Sequence, residues 1–229
     1  MVKLGISVWV ILFMLTFVIG CTSAKDSQTS VESQKASTES KKKSEETWMT
    51  TEVVTKDSKY SYKIPGDSKP LSKEFLGEIS KGATETNGNG VEIEFKSGFS
   101  FNKENKSKLP LVVTKSVGKD DRMFNNIKEI LRDYWVPRDR VVICENDKEL
   151  AEAIQKNPVE TLIISKNRNA VVVKGNEEIE KEKEKCTILA IMYMDKTSVA
   201  YFLFAEKENK FNDTLPLFLK IGETVAFAK

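Results

Sequence analysis

Serine and lysine stand three residues apart at Ser40 and Lys43, Ser100 and Lys103, and Ser116 and Lys119. That spacing is the kernel of serine enzymes that use a lysine amine as base, but such sites also need a Ser-Asp-Asn or Lys-Thr-Gly companion. The nearest approach to one, Lys196, Thr197 and Ser198, reads as a turn between two strands. Chance accounts for the three pairs in a chain this rich in Ser and Lys. Histidine is absent, which removes the Ser-His-Asp and Cys-His systems and every histidine-containing zinc site. Paired carboxylates can do acid and base work, yet nothing in the sequence singles out a pair. No catalytic residue and no cofactor is therefore expected, and the chain is not expected to be an enzyme. Of the three cysteines, Cys144 and Cys186 lie at the edges of expected strands. Outside the cytoplasm they would either form a disulfide or stay as two buried thiols acting as small apolar residues. Two thiols are too few for a four-ligand metal site.

Cys21 stands in a different setting. One basic residue, Lys3, precedes an uncharged run over residues 4–20 that leads through Val18, Ile19 and Gly20 into Cys21. Such a run is at the lower edge of what spans a bilayer as a helix, and within the range of a translocation signal. The four residues resemble the lipobox of bacterial lipoprotein signal peptides; the alternative is an uncleaved membrane helix with Cys21 as a bystander. The resemblance implies cleavage between Gly20 and Cys21, a thioether-linked diacylglyceryl group and palmitate-type acylation on Cys21, and an address outside the cytoplasm. The protein would then be lipid-anchored at the cell membrane or the outer membrane. Thr22, where an Asp commonly retains such proteins at the inner membrane, allows delivery to the outer one.

Residues 22–47 are almost entirely Ser, Thr, Lys, Glu and Gln, too poor in apolar surface to offset the entropy of ordering. A disordered tether is expected over 21–47, with a span of roughly 25 to 30 Å. Across the chain 36 Lys and Arg face 34 Asp and Glu, a balance that gives no electrostatic case for binding nucleic acid.

The folded part must then position whatever chemistry there is. It is expected from residue 48 onward, with a small β-rich region containing one short helix over 48–105 and an α/β domain over 106–229. The turn signal Asn87, Gly88, Asn89, Gly90 precedes an alternating strand with Val91, Ile93 and Phe95 inward, and Phe99 and Phe101 as further inward candidates. Residues 71–81 place Leu71, Phe75, Leu76 and Ile79 at helical spacing.

Downstream, strands are expected at 109–114, 140–144, 161–165 and 170–173. A helix capped by Asp120 or Asp121, with Phe124, Ile127, Leu131 and Tyr134 on one face, runs to Pro137. A second is opened by Asn146 and Glu149, carries Leu150, Ala153 and Ile154, and stops at Pro158. This βαβαβ order predicts parallel strands with right-handed crossovers. The charge run over 177–185 reads as a solvated helix or loop. Residues 187–194 and 198–205, apolar throughout, predict a central antiparallel hairpin with Ile188, Ile191, Tyr193, Tyr201, Phe202 and Phe204 in the core. Residues 215–220 and 224–228 follow as late edge strands, or as a helix and a strand. The fold class is α/β, with α+β as the alternative, on a mixed sheet.

Two functions fit this frame. In outline the topology is similar to small α/β domains of envelope accessory lipoproteins, which implies a protein-binding or scaffolding factor with an envelope protein as partner. Contacts would come from 116–121, from 145–148 or from an exposed sheet edge. Separately, residues 147–165 resemble the late part of phosphate-type substrate-binding proteins, which implies a lipid-anchored solute receptor. Val159, Glu160 and Thr161 stand where that family carries glycines.

Overall fold

Residues 186–194 and 198–206 bury every side chain, so both faces of the sheet they form must be covered. The computed structural model describes residues 47–55, 58–87, 94–102, 108–133, 141–179 and 184–228. The expected signal peptide, Cys21 and the tether up to residue 46 lie outside the described residues, as do Val91, Ile93, Tyr134 and Pro137.

The element order is β1 (Trp48–Val54), β2 (Lys59–Pro65), β3 (Lys69–Pro70), α1 (Lys73–Asn87), β4 (Ser97–Ser100), β5 (Leu111–Gly118) and α2 (Arg122–Asp133). It continues β6 (Val141–Cys144), α3 (Asp147–Lys156), β7 (Leu162–Ser165), β8 (Ala170–Ile179), β9 (Glu184–Met194), β10 (Ser198–Lys207), α4 (Phe211–Glu223) and β11 (Ala226–Phe227). Strands β1, β2 and β11 form a three-stranded sheet; the others form an eight-stranded sheet in the order β3-β4-β5-β10-β9-β8-β7-β6. The fold is a mixed α/β architecture in three layers.

Strand alternation assigns the layers. On one face Val113, Leu203, Ala190 and Val173 pack against Phe75 and Ile79 of α1 and Phe124, Ile127 and Ile130 of α2. On the other, Val112, Phe202, Ile191 and Val172 meet Leu150 and Ile154 of α3, Leu215 and Phe218 of α4, and Tyr60, Tyr62 and Ile64 of the small sheet. Phe202 packs edge-on against Tyr62 at 5.0 Å, and Phe204 stacks on Phe218 at 4.7 Å. Such pairs contribute about 1 kcal/mol each beyond area burial.

The hairpin β9–β10 occupies the centre of the sheet, as its two-sided apolar pattern predicts. The expected run of parallel neighbours reduces to one pair, β6 and β7 joined through α3. Strand β5 runs in the same direction, but β10, β9, β8 and β7 stand between it and β6. The later strands, apolar on both faces, take the interior positions and leave β6 at the rim. The boundary expected at 105/106 falls inside this sheet, since β4 before it is hydrogen-bonded to β5 after it.

The charge run differs from its reading as well. Residues 177–179 and 184–186 are the ends of β8 and β9, paired Glu177 to Cys186, Glu178 to Lys185 and Ile179 to Glu184. These ends extend past the neighbouring strands, since β7 pairs with β8 only as far as Val173 and β10 pairs with β9 only as far as Cys186. Of the late segments, residues 215–220 lie within α4, and β11 follows.

Candidate functional site

Strand β5 begins Leu111, Val112, Val113 and then turns polar at Thr114, Lys115 and Ser116 before Val117. Thr114 and Lys115 are nonetheless buried, Lys115 with only 7% of its surface exposed. Its expected end at Thr114 places Lys115 outside the strand, whereas β5 runs to Gly118 because β10 pairs with it along its full length, Tyr201 lying directly opposite Lys115.

The Lys115 side chain lies on the face covered by α1 and α2, its Nζ 5.4 Å from the centre of the Tyr201 ring. Phe95 packs against the same ring at 6.4 Å. Burial pushes the amine down to about 8, opposed weakly by the field of Asp121. Among the described residues no carboxylate lies within ion-pair distance of Nζ. Asp121 is engaged elsewhere, its Oδ1 accepting from Met123 N at 2.7 Å to cap α2. The Tyr201 hydroxyl is buried with no hydrogen-bond partner among the described residues, and burial holds its pKa well above the usual tyrosine range.

On the opposite face a group of hydroxyls lies between the two sheets. Tyr60 donates to the Lys115 carbonyl at 3.2 Å and the Tyr62 hydroxyl meets Ser97 Oγ at 3.2 Å. Burial raises both tyrosine pKa values, and Thr114 beside them partly opposes the rise. Ser116 Oγ has no partner among the described residues. Of the three Ser-Lys pairs, Ser116 and Lys119 are both described; Lys119 is exposed while Ser116 is half buried, so they do not converge.

A second polar cluster ties three elements together at the end of the sheet where β5, β6, β7 and β9 terminate. Arg168, its side chain 6% exposed, donates to Asp147 Oδ1 at 2.6 Å, to Glu223 Oε1 at 3.2 Å and to the Leu219 carbonyl at 3.1 Å. The Arg168 hydrogen bond holds the Asp147 carboxyl below the usual range, assisted by Asn167. Tyr193 reaches the same knot from β9. Burial pushes its hydroxyl up to about 12, against the opposing Arg168 charge. The close approach requires Gly222, where an added Cβ would lie 1.9 Å from the Tyr193 hydroxyl.

The loops expected to make contacts, 116–121 and 145–148, lie at this same end. Five strand spacings put them about 24 Å apart. The second is built largely for α3, since Glu149 N donates to Asn146 Oδ1 at 3.0 Å and Glu149 Oε2 accepts from Glu145 N at 2.8 Å. Cys144 and Cys186 are both buried and not bridged. They belong to clusters on opposite faces of the sheet, which puts the strand plane between the two sulfurs. Burial and the nearby Glu149 raise the Cys144 thiol.

The sequence reading missed Lys115, Tyr201's unpaired hydroxyl and the Arg168 knot. The only local signal for the first is a lysine directly after a run of four strand formers, LVVT.

Fold and site together define a three-layer α/β protein whose central sheet carries a buried lysine with no ion-pair partner among the described residues. No family model matches the sequence, and none of the curated proteins does. Among solved structures it is similar to cyanobacterial PsbP (CyanoP) from Synechocystis sp. PCC 6803, at 8% identity and a TM-score of 0.36, covering 83% of this chain and 98% of that one. It is also similar to LpqN, involved in cell envelope biogenesis of Mycobacterium tuberculosis, at 11% identity and a TM-score of 0.37, covering 80% of this chain and 92% of that one. Likenesses at this level carry no argument about function.

Proposed function

We propose that this is a lipid-anchored accessory protein of the cell envelope, held outside the cytoplasm by Cys21 and binding an envelope protein through its folded part. The observation that carries the reading is β6. It is the outermost strand of the eight-stranded sheet, it contains no charged residue, and Ile143 in its middle is 43% exposed. Edge strands are ordinarily blunted by charge, proline or a covering element, because their free N–H and C=O groups template pairing with another chain. An edge on which no strand pairs among the described residues suits an extended segment of a partner, held by main-chain hydrogen bonds with an apolar side chain beside Ile143. A tether of the expected length gives the edge room to meet a partner above the membrane.

The test is a photo-cross-linking residue at position 143 of the full-length lipoprotein in intact cells, with one at exposed Val54 on β1 as comparison. One reproducible envelope protein captured from 143 and not from 54 is the expected result. No adduct at 143, or the same adducts at both positions, would remove the edge from the proposal. In parallel, Cys21→Ala should move the protein from the detergent phase to the aqueous phase. Unchanged partitioning would contradict the anchor.

The solute-receptor reading has one observation behind it, the buried Lys115. The segment that suggested it contributes none. Asn157 Nδ2 donates to the Ala153 carbonyl at 2.9 Å, and Lys174 Nζ donates to the Ile154 and Asn157 carbonyls at 2.6 and 2.7 Å. The polar groups at the end of α3 are thus used in closing that helix.

A further inference from the structure

A lone ammonium in an apolar layer is among the most costly groups a core can hold, and it is ordinarily paired with a carboxylate. Among the described residues Lys115 has no such pairing, and the Tyr201 ring face offsets only part of the cost. Directly across from it on β10, on the same face, the Tyr201 hydroxyl is buried without a hydrogen-bond partner among the described residues. On one sheet face, therefore, an ammonium without a carboxylate partner and a phenol without a hydrogen-bond partner among the described residues stand at directly paired positions.

We propose that Lys115 and Tyr201 form a binding site for a small monovalent oxyanion of the monocarboxylate class. The ammonium supplies the charge and the phenol a directed hydrogen bond, the combination that makes charge-assisted contacts strong. The neighbours set the class. Phe95 lies tilted against the Tyr201 ring, and Asp121 contributes a nearby negative field from the β5–α2 turn. A patch with one compact cation, an apolar wall and an acidic neighbour favours one negative charge over two. Lys115 keeps 7% of its surface exposed, and the ion would enter from that side. This inference goes beyond the accessory reading and does not depend on it, since the site lies within the layer under α1 and α2 and not along β6.

Acetate is the probe, with chloride at matched ionic strength and inorganic phosphate as comparisons, read by thermal shift and calorimetry on the full-length protein in detergent. The groups facing the amine are Tyr201 from β10, whose hydroxyl burial holds in its neutral form, and Asp121 from the β5–α2 turn. Acetate should raise the melting temperature at pH 7 more than chloride or phosphate does, and the effect should fade by pH 9.5 as the amine loses its charge. Lys115→Met should weaken acetate binding at least tenfold, and Tyr201→Phe, which keeps the ring, should weaken it less. Equal shifts from acetate and chloride, or an acetate shift that survives in Lys115→Met, would overturn the site. An empty cross-linking result at Ile143 would leave it standing, and loss of the acetate effect would leave the edge-strand reading standing.

Discussion

Replacing Lys115 by Met should make the protein more stable at neutral pH and change how its stability depends on pH. The amine titrates near 8 in the folded protein against an ordinary lysine value of 10.5. The folded state therefore disfavours the charged form by about 3 kcal/mol, a tenfold change in proton affinity being worth about 1.36 kcal/mol. The sign follows from proton counting. Between those two values the unfolded chain holds more protons than the folded one, so stability climbs with pH there. Over pH 7.5 to 9.5 the wild-type protein should gain about 2 kcal/mol from this group. The ceiling is set by Tyr60, Tyr62, Tyr193 and Tyr201. Burial raises all four in the folded protein, so they lower stability above about pH 10, after the raised Cys144 thiol has begun to do so above its ordinary value of 9.0. Urea unfolding at half-unit pH steps in a chloride buffer would read both effects. Lys115→Met should be the more stable protein at pH 7.5 and lose most of the rise that the wild type shows up to pH 9.5. A wild-type profile already flat over that range, or a Met variant less stable than wild type at pH 7.5, would refute the reasoning.

Three further outcomes are expected. Gly222→Ala places a Cβ 1.9 Å from the Tyr193 hydroxyl and 3.0 Å from Arg168, so it should cost about 2 to 3 kcal/mol in urea unfolding; adding Tyr193→Phe, which removes the clashing oxygen, should return part of the loss. Arg168→Met removes the bond that lowers the Asp147 pKa. Stability that Asp147 provides above an ordinary carboxyl value, and that is lost as pH falls through its lowered one, should disappear, so the variant's acid unfolding curve should be shallower below about pH 4. Glu160 has φ 67, a left-handed conformation that a Gly accepts freely and a β-branched residue resists. Glu160→Gly should lie within about 0.5 kcal/mol of wild type and Glu160→Val should lose about 1 to 2 kcal/mol in thermal unfolding.

What the sequence made legible follows from how local each signal is. Helix α3 announces itself through Asn146, Glu149 and the spacing of Leu150, Ala153 and Ile154, and α2 through Asp121 and its apolar stripe, because caps and stripes act within a few residues. The hairpin β9–β10 was visible because burial on both faces leaves continuous apolar runs. Strand neighbours were not legible. Nothing within residues 111–118 says that β10, eighty residues on, will lie beside them and not β6, since pairing is decided by which strands need covering on both faces. The same non-local pairing concealed the site, because Lys115 is buried by the partner strand opposite it and by helices distant in sequence. Local polarity placed the end of β5 before it. The charge run over 177–185 misled in the opposite direction, because polarity there marks strand ends that outreach the sheet.

The position of β10 bears on when the fold can come into being. It is the only strand that joins β3, β4 and β5 to the β9-to-β6 half of the sheet, and β11 near the chain's end closes the small sheet onto β2. Contacts of such long sequence separation form slowly, since the entropy of loop closure must be met before they contribute. A chain emerging N-terminus first thus has unpaired edges on β5 and β2 until its last thirty or so residues arrive. The two halves of the large sheet thus lock together only once β10 is in place, and every earlier intermediate carries an open strand edge.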